Sequence, residues 1–474
     1  MTPKKILIFA LGPLGAALLS FVTLPILAWF VSVEDVGRAA MLQVVITFSF
    51  VVCSFGLDQA FVREYYDFEN KGVLLKSAFF PGFVFLSCIC ATGLMFFKNE
   101  GVLFFSLSSV SLIYLAVACL LINFANSFLS HALRMSGKAL AYSLTLMLPK
   151  ATFLCVILLG VVAHLPPSFG FLLFAQTAAL LSALFLLVWC TRGLIRETCV
   201  SAFSTTACKQ LFNFGLPLVF GSVAYWALTM FDRVALSWWS NLSEVGVYSV
   251  GVSFAAVGIL FQSIFSVVWS PIVYKWASMG EDLTRVDSIV EHATAFVVFA
   301  FVMIGLFSFV VVYFLPPEYR LVQYIIGACM GLPLLYTLSE TTAVGVHLKK
   351  RTSLAILAPI FALPTNIVLA YWLIPVFGAA GAAVSTSSAM FVFLVIRTEM
   401  SIIAWRTFPR AKLYVWMLLC LSLSSLQALQ GESLMFVIYG GWVALGVTML
   451  FSFERSMNVL RSYASTKLFP IKDI

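Results

Sequence analysis

The chain has 474 residues, of which 62% are hydrophobic and only 10% charged, more apolar surface than one water-facing core can hide. That balance excludes a soluble globular fold and makes lipid the solvent. The formal net charge of +8 is not a nucleic-acid signature, because no basic stretch is interleaved with the stacking aromatics such binding needs.

A hydrocarbon core about 30 Å thick takes roughly 20 apolar residues per helical crossing. Helix is the default, since each crossing must satisfy its own backbone. The sequence predicts fourteen spans, at 6–32, 38–57, 74–97, 102–130, 140–163, 169–190, 212–237, 244–270, 290–314, 321–346, 352–374, 378–399, 411–428 and 434–453. The first follows Lys4 and Lys5, is too long for a signal peptide and is followed closely by a second, so it reads as a retained helix.

Basic residues in short loops stay on the cytoplasmic side, and they test this count. With the N-terminus inside, the inner segments hold Lys4 and Lys5; Arg63, Lys71 and Lys76; Arg134 and Lys138; Arg192, Arg196 and Lys209; and Lys275 and Arg285. They continue with Lys349, Lys350 and Arg351, then Arg397, Arg406, Arg410 and Lys412, then Arg455, Arg461, Lys467 and Lys472. Of the 28 Lys and Arg residues, only Arg38, Lys98 and Arg320 fall in outer loops, while Lys150 and Arg233 fall inside spans. Both termini are therefore expected in the cytoplasm. The cysteines lie in spans or inner segments, which predicts no disulfides.

A repeat with a period a little over two hundred residues runs through the chain. Span 1 ends in Ser32-Val33-Glu34-Asp35-Val36-Gly37 and span 7 in Asn241-Leu242-Ser243-Glu244-Val245-Gly246, each Gly being expected to open the next helix. Both parent spans carry Gly and Pro near their inner ends, Gly12, Pro13 and Gly15 in one and Gly215, Pro217 and Gly221 in the other, and Pro149 matches Pro364. Six intervening spans give both copies the same orientation, a parallel repeat about an axis along the membrane normal. The expected architecture is an all-α polytopic membrane protein with an N-lobe (1–198), a C-lobe (199–400), a linker at 191–209 and two appended spans with a tail (401–474). Two such lobes would enclose a cavity. Pro13, Pro25, Pro149, Pro217, Pro333 and Pro364 are candidate bend points within spans.

An ionisable group at bilayer depth costs roughly 2.5–3.5 kcal/mol, so it faces protein or a wet cavity and has a partner or a task. Lys150 lies near the middle of span 5, Asp232 and Arg233 in the outer half of span 7, Glu340 in the inner third of span 10, and Asp58 closes span 2 just before Arg63. The functional reading has Lys150 and Arg233 holding an anionic substrate, with Asp58, Arg63, Asp232 and Glu340 as coupling or gating residues. The structural alternative has pairs such as Lys150 with Glu340 stapling the lobes. His131, His164, His292 and His347 lie at span ends and read as interfacial. No nucleotide-binding GxxxxGK[ST] loop, HExxH or paired CxxC occurs, so no metal, cofactor or catalytic residue is expected. The short outer loops at 164–168 and 375–377 disfavour a membrane-embedded transferase.

Four stretches carry a resemblance: the Gly/Pro-containing first helix running into Ser32–Gly37; Gly56-Leu57-Asp58-Gln59-Ala60-Phe61-Val62-Arg63; Asp232-Arg233 followed by Val245-Gly246-Val247-Tyr248; and Asn366 through Leu373-Ile374-Pro375-Val376-Phe377-Gly378-Ala379-Ala380-Gly381, then Ser385-Thr386. Over roughly residues 1–400 the chain resembles the polysaccharide-transporter branch of the multidrug, oligosaccharidyl-lipid and polysaccharide exporter superfamily, the O-antigen and lipid-linked oligosaccharide flippases. The resemblance implies alternating access in the bacterial inner membrane. An undecaprenyl-pyrophosphate-linked glycan would be carried outward, with Lys150 and Arg233 meeting the pyrophosphate or acidic sugars. It also implies membrane lipids, a polysaccharide polymerase and a chain-length regulator as partners. A lipid II flippase and a multidrug or cation antiporter of the same superfamily stay open as alternatives.

Overall fold

The computed structural model describes residues 3–96, 110–279, 284–349 and 351–454. Residues 102–109 of the fourth expected span, and Lys98, Lys350, Arg455, Arg461, Lys467 and Lys472, lie outside the described residues, as do the side chains of Lys4, Lys5 and Lys275. Within the described residues the fold is all-helical, with fourteen helical stretches long and apolar enough to cross a membrane. It divides into two compact units, Met1–Ser253 and Phe254–Ile474. The boundary falls inside a helix, beyond the 198/199 boundary that the repeat suggests.

The first unit contains α1 (Pro3–Phe30), α2 (Val33–Cys53), α3 (Leu57–Glu64), α4 (Lys71–Phe96), α5 (Val110–Met135), α6 (Ala139–Val162), α7 (Phe169–Val200), α8 (Thr205–Trp239) and the start of α9 (Leu242–Ser278). In lipid, helices associate through close packing of small residues and through polar contacts, and this unit uses both. Gly12 and Gly15 of α1 lie against Ser143 and Met147 of α6. Asn126 of α5 donates to the Leu180 carbonyl of α7 at 3.0 Å, and the Cys119 sulfur lies 3.3 Å from the Thr177 hydroxyl. The buried Phe124 and Phe128 rings meet Phe50 and Phe79.

The two repeat motifs meet each other. A Cβ on Gly37 would fall 1.9 Å from the Leu242 carbonyl oxygen, and one on Gly246 would fall 2.2 Å from that of Val33. In the repeat alignment Gly37 matches Gly246 and Val33 matches Leu242, so the contact is reciprocal, as across a twofold axis. These glycines do not open their helices. α2 starts at Val33, because Ser32 caps it by accepting from the Asp35 backbone N–H at 3.2 Å, and Glu34 and Asp35 lie in its first turn. α9 likewise starts at Leu242. The glycines serve close backbone approach one turn further on.

The linker is shorter than 191–209. α7 continues to Val200 past its apolar segment and α8 begins at Thr205, where Ser204 caps it. The Lys76 ammonium donates to the Ser201 carbonyl at 2.7 Å, and Glu197 accepts from the Gly72 backbone N–H. These contacts hold the connection to α4.

The second unit contains the rest of α9, α10 (Arg285–Phe307), α11 (Val322–Cys329), α12 (Gly331–Thr342), α13 (Val344–Leu348), α14 (Leu357–Phe377), α15 (Ala379–Ala404), α16 (Ala411–Gln430) and α17 (Met435–Ser452). The tenth expected span is a broken rod, with α11 and α12 forming one crossing and α13 following at its end. α14 retains Pro364 and Pro375, and the turn into α15 is the single residue Gly378, at φ 52°. The turn is thus tighter than Pro375 to Gly378, since α14 runs on through Pro375 to Phe377. A Cβ on Gly381 would meet the Leu373 backbone at 2.5 Å, which is the close packing that the small residues of α15 allow.

The last two helices are not loosely appended. Buried Gln427 of α16 donates to the Ser308 hydroxyl at 2.9 Å and accepts from the Trp442 indole N–H of α17 at 2.8 Å. Gly305 of α10 leaves the room that the Trp442 ring occupies. Bidentate Arg406–Asp287, Lys412–Glu291 and Arg410–Glu399 ion pairs tie the α15–α16 connection to α10 and α15.

Overpacking a close contact costs about 1–3 kcal/mol. Gly37→Val should lower the thermal unfolding midpoint of detergent-solubilised protein in fluorescence-detected size exclusion. Gly93→Val, where nothing lies within 4 Å of an added Cβ, should leave it unchanged.

Candidate functional site

α2 ends in a sharp break. Phe55 (φ 52°) and Gly56 (φ 68°) take left-handed backbone in succession, a conformation costly for Phe and free for Gly. A Cβ at Gly56 would fall 2.2 Å from the Gly215 carbonyl oxygen, so the break is also pinned against α8. From it starts α3, with Asp58 in its first turn and Arg63 in its last. Those placements suit the helix dipole at both ends.

α3, the end of α5 and α8 line an open cavity of about 410 Å³, bordered by Asp58, Gln59, Val62, Arg63, His131, Arg134, Phe214 and Leu218. His131 and Arg134 are one turn apart and share a face of α5. The His131 Nε2 lies 4.0 Å from the Asp58 carboxylate. The Arg63 guanidinium sits 4.1 Å from the centre of the Phe214 ring, a cation–π contact that holds it at the wall. Gln59 donates to the Ser222 hydroxyl at 2.9 Å. Two arginines, one carboxylate and one imidazole leave the cavity cationic. It lies where α2 and α5 end.

Of the residues expected from the sequence, Asp58 and Arg63 thus come together, and they recruit His131 and Arg134, which had read as interfacial and as topological. The signal for His131 was its one-turn spacing from Arg134, which nothing in the sequence connected to the α2–α3 break.

Lys150 stands apart from this cavity. It lies at the midpoint of α6 and is exposed, on the helix face that carries Ser143 and Met147 toward α1. Among the described residues of its own unit no carboxylate lies in ion-pair contact with it. Glu340 is held by Arg397 at 2.7 Å. Arg397 also donates to Ser339 at 3.0 Å and lies near the Tyr336 and Phe393 rings. Although counted among the inner-segment cations, Arg397 is inside α15 and only 9% exposed. Burial lowers the pKa of nearby His347, the Arg397 guanidinium lowers it further, and the Glu340 carboxylate opposes both.

Asp232 is 1% exposed and accepts from the Tyr248 hydroxyl at 2.9 Å. Its neighbour Arg233 donates to the Ser249 hydroxyl at 3.2 Å and contacts the Met230 sulfur and the Tyr248 ring. Both are fixed at the junction of α8 and α9. No cluster of three metal-ligating side chains occurs among the described residues.

A protein-family model described as "Polysaccharide biosynthesis protein" matches residues 3–276. A search of curated proteins gives no significant match. Among solved structures, the chain is similar to a lipid II flippase MurJ in an inward closed conformation, with TM-score 0.69 and 16% identity over 95% of this chain and 99% of that one. It is also similar to an inward-facing multidrug resistance MATE family transporter of the MOP superfamily, with TM-score 0.57 and 14% identity over 90% of this chain and 99% of that one. At these identities the likeness shows the fold alone, the helical architecture that the chain shares with those two structures.

Breaking a buried ion pair by removing one partner costs about 3–5 kcal/mol, whereas replacing both partners with apolar residues costs far less. Arg397→Met and Glu340→Leu should each destabilise the solubilised protein in thermal unfolding. The double variant should recover most of the loss.

Proposed function

Because the chain belongs to the polysaccharide biosynthesis protein family, whose model matches more than half of it, we propose that it is a flippase for lipid-linked oligosaccharide. It carries an undecaprenyl-diphosphate-linked repeat unit of O-antigen, capsule or exopolysaccharide from the inner to the outer leaflet of the bacterial inner membrane. It does so by alternating access, with both termini cytoplasmic and the two six-helix repeats as the moving lobes. A polymerase and a chain-length regulator then use the exported unit.

The observation that carries this reading is Lys150. A cation at mid-span without a carboxylate partner among the described residues of its unit is stable only beside water or an anion, and a diphosphate supplies that anion twice over. The carboxylates point the same way. An exporter of cations wants an uncompensated acid in its path, yet Glu340 is bound by Arg397, Asp232 by Tyr248, and Asp58 stands beside His131. Arg63 and Arg134 supply positive charge where the head group would enter, and Arg233 supplies it near the exit. A lipid II flippase would bind the same diphosphate, and only the sugar preference separates that reading from this one.

In a strain lacking its own copy, Lys150→Ala should abolish surface polysaccharide at unchanged protein level, while Lys150→Arg should keep part of it. Wild-type polysaccharide with the alanine variant would sink this assignment.

A further inference from the structure

The cavity between α3, α5 and α8 holds a titratable group that the proposed function does not use. His131 faces Asp58 at 4.0 Å, with Arg63 and Arg134 on the same wall. An imidazole is the side chain whose charge changes near neutral pH. Here its charge decides whether the cavity carries one net positive charge or two.

The other charged groups on the neighbouring elements do not line this cavity. On α4, Lys71 is bound to the Phe68 carbonyl and Lys76 to that of Ser201. On α7, Glu197 is bound to the Gly72 backbone N–H, and Arg192 lies against Trp189. Glu64 of α3 is engaged by Arg63 and Gln210. Arg196 of α7, Lys150 of α6, Lys209, Asp232 and Arg233 of α8, and Glu34, Asp35 and Arg38 of α2 are likewise absent from the lining. The charged or titratable groups that line the cavity are therefore Asp58, Arg63, Arg134 and His131 itself, with Glu64 beside Arg63 from outside the lining.

We propose that this cavity is a proton-linked diphosphate site, in which His131 takes up a proton when a doubly anionic ligand docks against Arg63 and Arg134. With the cavity empty, Asp58 attracts a proton on the ring, while Arg134, one turn away on α5, repels it. A docked diphosphate reverses that balance by offsetting both guanidinium groups. Proton and ligand then favour each other by the same factor, as linkage requires. The proton comes from solvent and sits on the imidazole, and no covalent bond in the ligand changes. Asp58 stands 4.0 Å from the ring, so the imidazolium has a carboxylate beside it while the ligand is docked. The inference rests on the flippase reading only for the source of the anion.

The test is calorimetric titration of the full-length purified protein with P1,P2-dimethyl diphosphate, a diester with no proton to lose near neutrality. It is run from pH 5.5 to 8.5 in two buffers of different ionisation enthalpy. Affinity should fall about tenfold over that range as the linked charge is lost, and the buffer difference should report proton uptake. His131→Gln should bind with the weak affinity of the high-pH wild type at every pH, with no proton taken up. A second arm with a short-chain prenyl-diphosphate-linked sugar separates two sources of this chemistry, since tighter proton-linked binding of the prenyl sugar marks the lipid-linked ligand and equal binding a free diphosphate. Absence of binding by both ligands, or binding by wild type without proton uptake, overturns the proposal. Because Lys150 is outside this cavity, the latter result would leave the flippase reading standing, and a normal Lys150→Ala phenotype would leave this one standing.

Discussion

A charge placed inside a bilayer must be compensated, and the polar architecture of this protein is the record of how each one is. Glu340 is met by Arg397, Asp232 by Tyr248, Arg233 by Ser249 and the Met230 sulfur, and Asp58 by His131. Apart from Arg233–Met230, which lies within α8, these contacts join two helices, or a helix to the short α3, so the expense of burying the charge is turned into specific packing. Once these are accounted for, Lys150 stands out as a mid-span cation with no carboxylate among the described residues of its unit to neutralise it. The proposal of an anionic cargo rests on that exception and not on net charge.

Packing without water depends on how closely backbones approach. The two turn glycines, Gly37 and Gly246, let equivalent parts of the repeat touch carbonyl to backbone. Gly56 and Gly215 do the same at the other end of α2 and α8. α8 is therefore held beside the α2–α3 break at Gly215 and midway, where Trp226 donates to Thr47 at 3.0 Å, and the start of α9 that follows it is held against the start of α2. This is the physical reason that the seventh span packs with the first six in one compact unit. In the second unit, Gln427 does with hydrogen bonds what the glycines do with space, fastening the last two helices to the segment after α10.

The fold was legible in the sequence because its cause is local: fourteen apolar stretches long enough to cross a bilayer. The repeat was legible for a similar reason, since a motif that must pack against its own copy keeps its spacing. Details that depend on capping or on neighbours were not. Ser32 moves the start of α2 ahead of Gly37, and the end of α7 absorbs most of the expected linker. Arg397 looked like a loop cation because it sits near the end of a span, and only its contact with Glu340 reveals a buried ion. The cavity was half legible. Asp58 and Arg63 drew notice as charges bordering a span, whereas His131 joins them through the left-handed break at Phe55 and Gly56, a tertiary placement that composition cannot express.

The central claim is that this chain moves a diphosphate-linked glycan lipid between leaflets. The most direct measurement reconstitutes it in proteoliposomes holding a fluorescent, short-chain prenyl-diphosphate-linked oligosaccharide, and follows how much of the label a membrane-impermeant quencher can reach. The account predicts that the reachable share rises from that of the outer leaflet toward the whole when the protein is present, and that a neutral lipid bearing the same glycan without the diphosphate stays in its leaflet. A quenched fraction identical with and without protein, or equal movement of the neutral lipid, would contradict it.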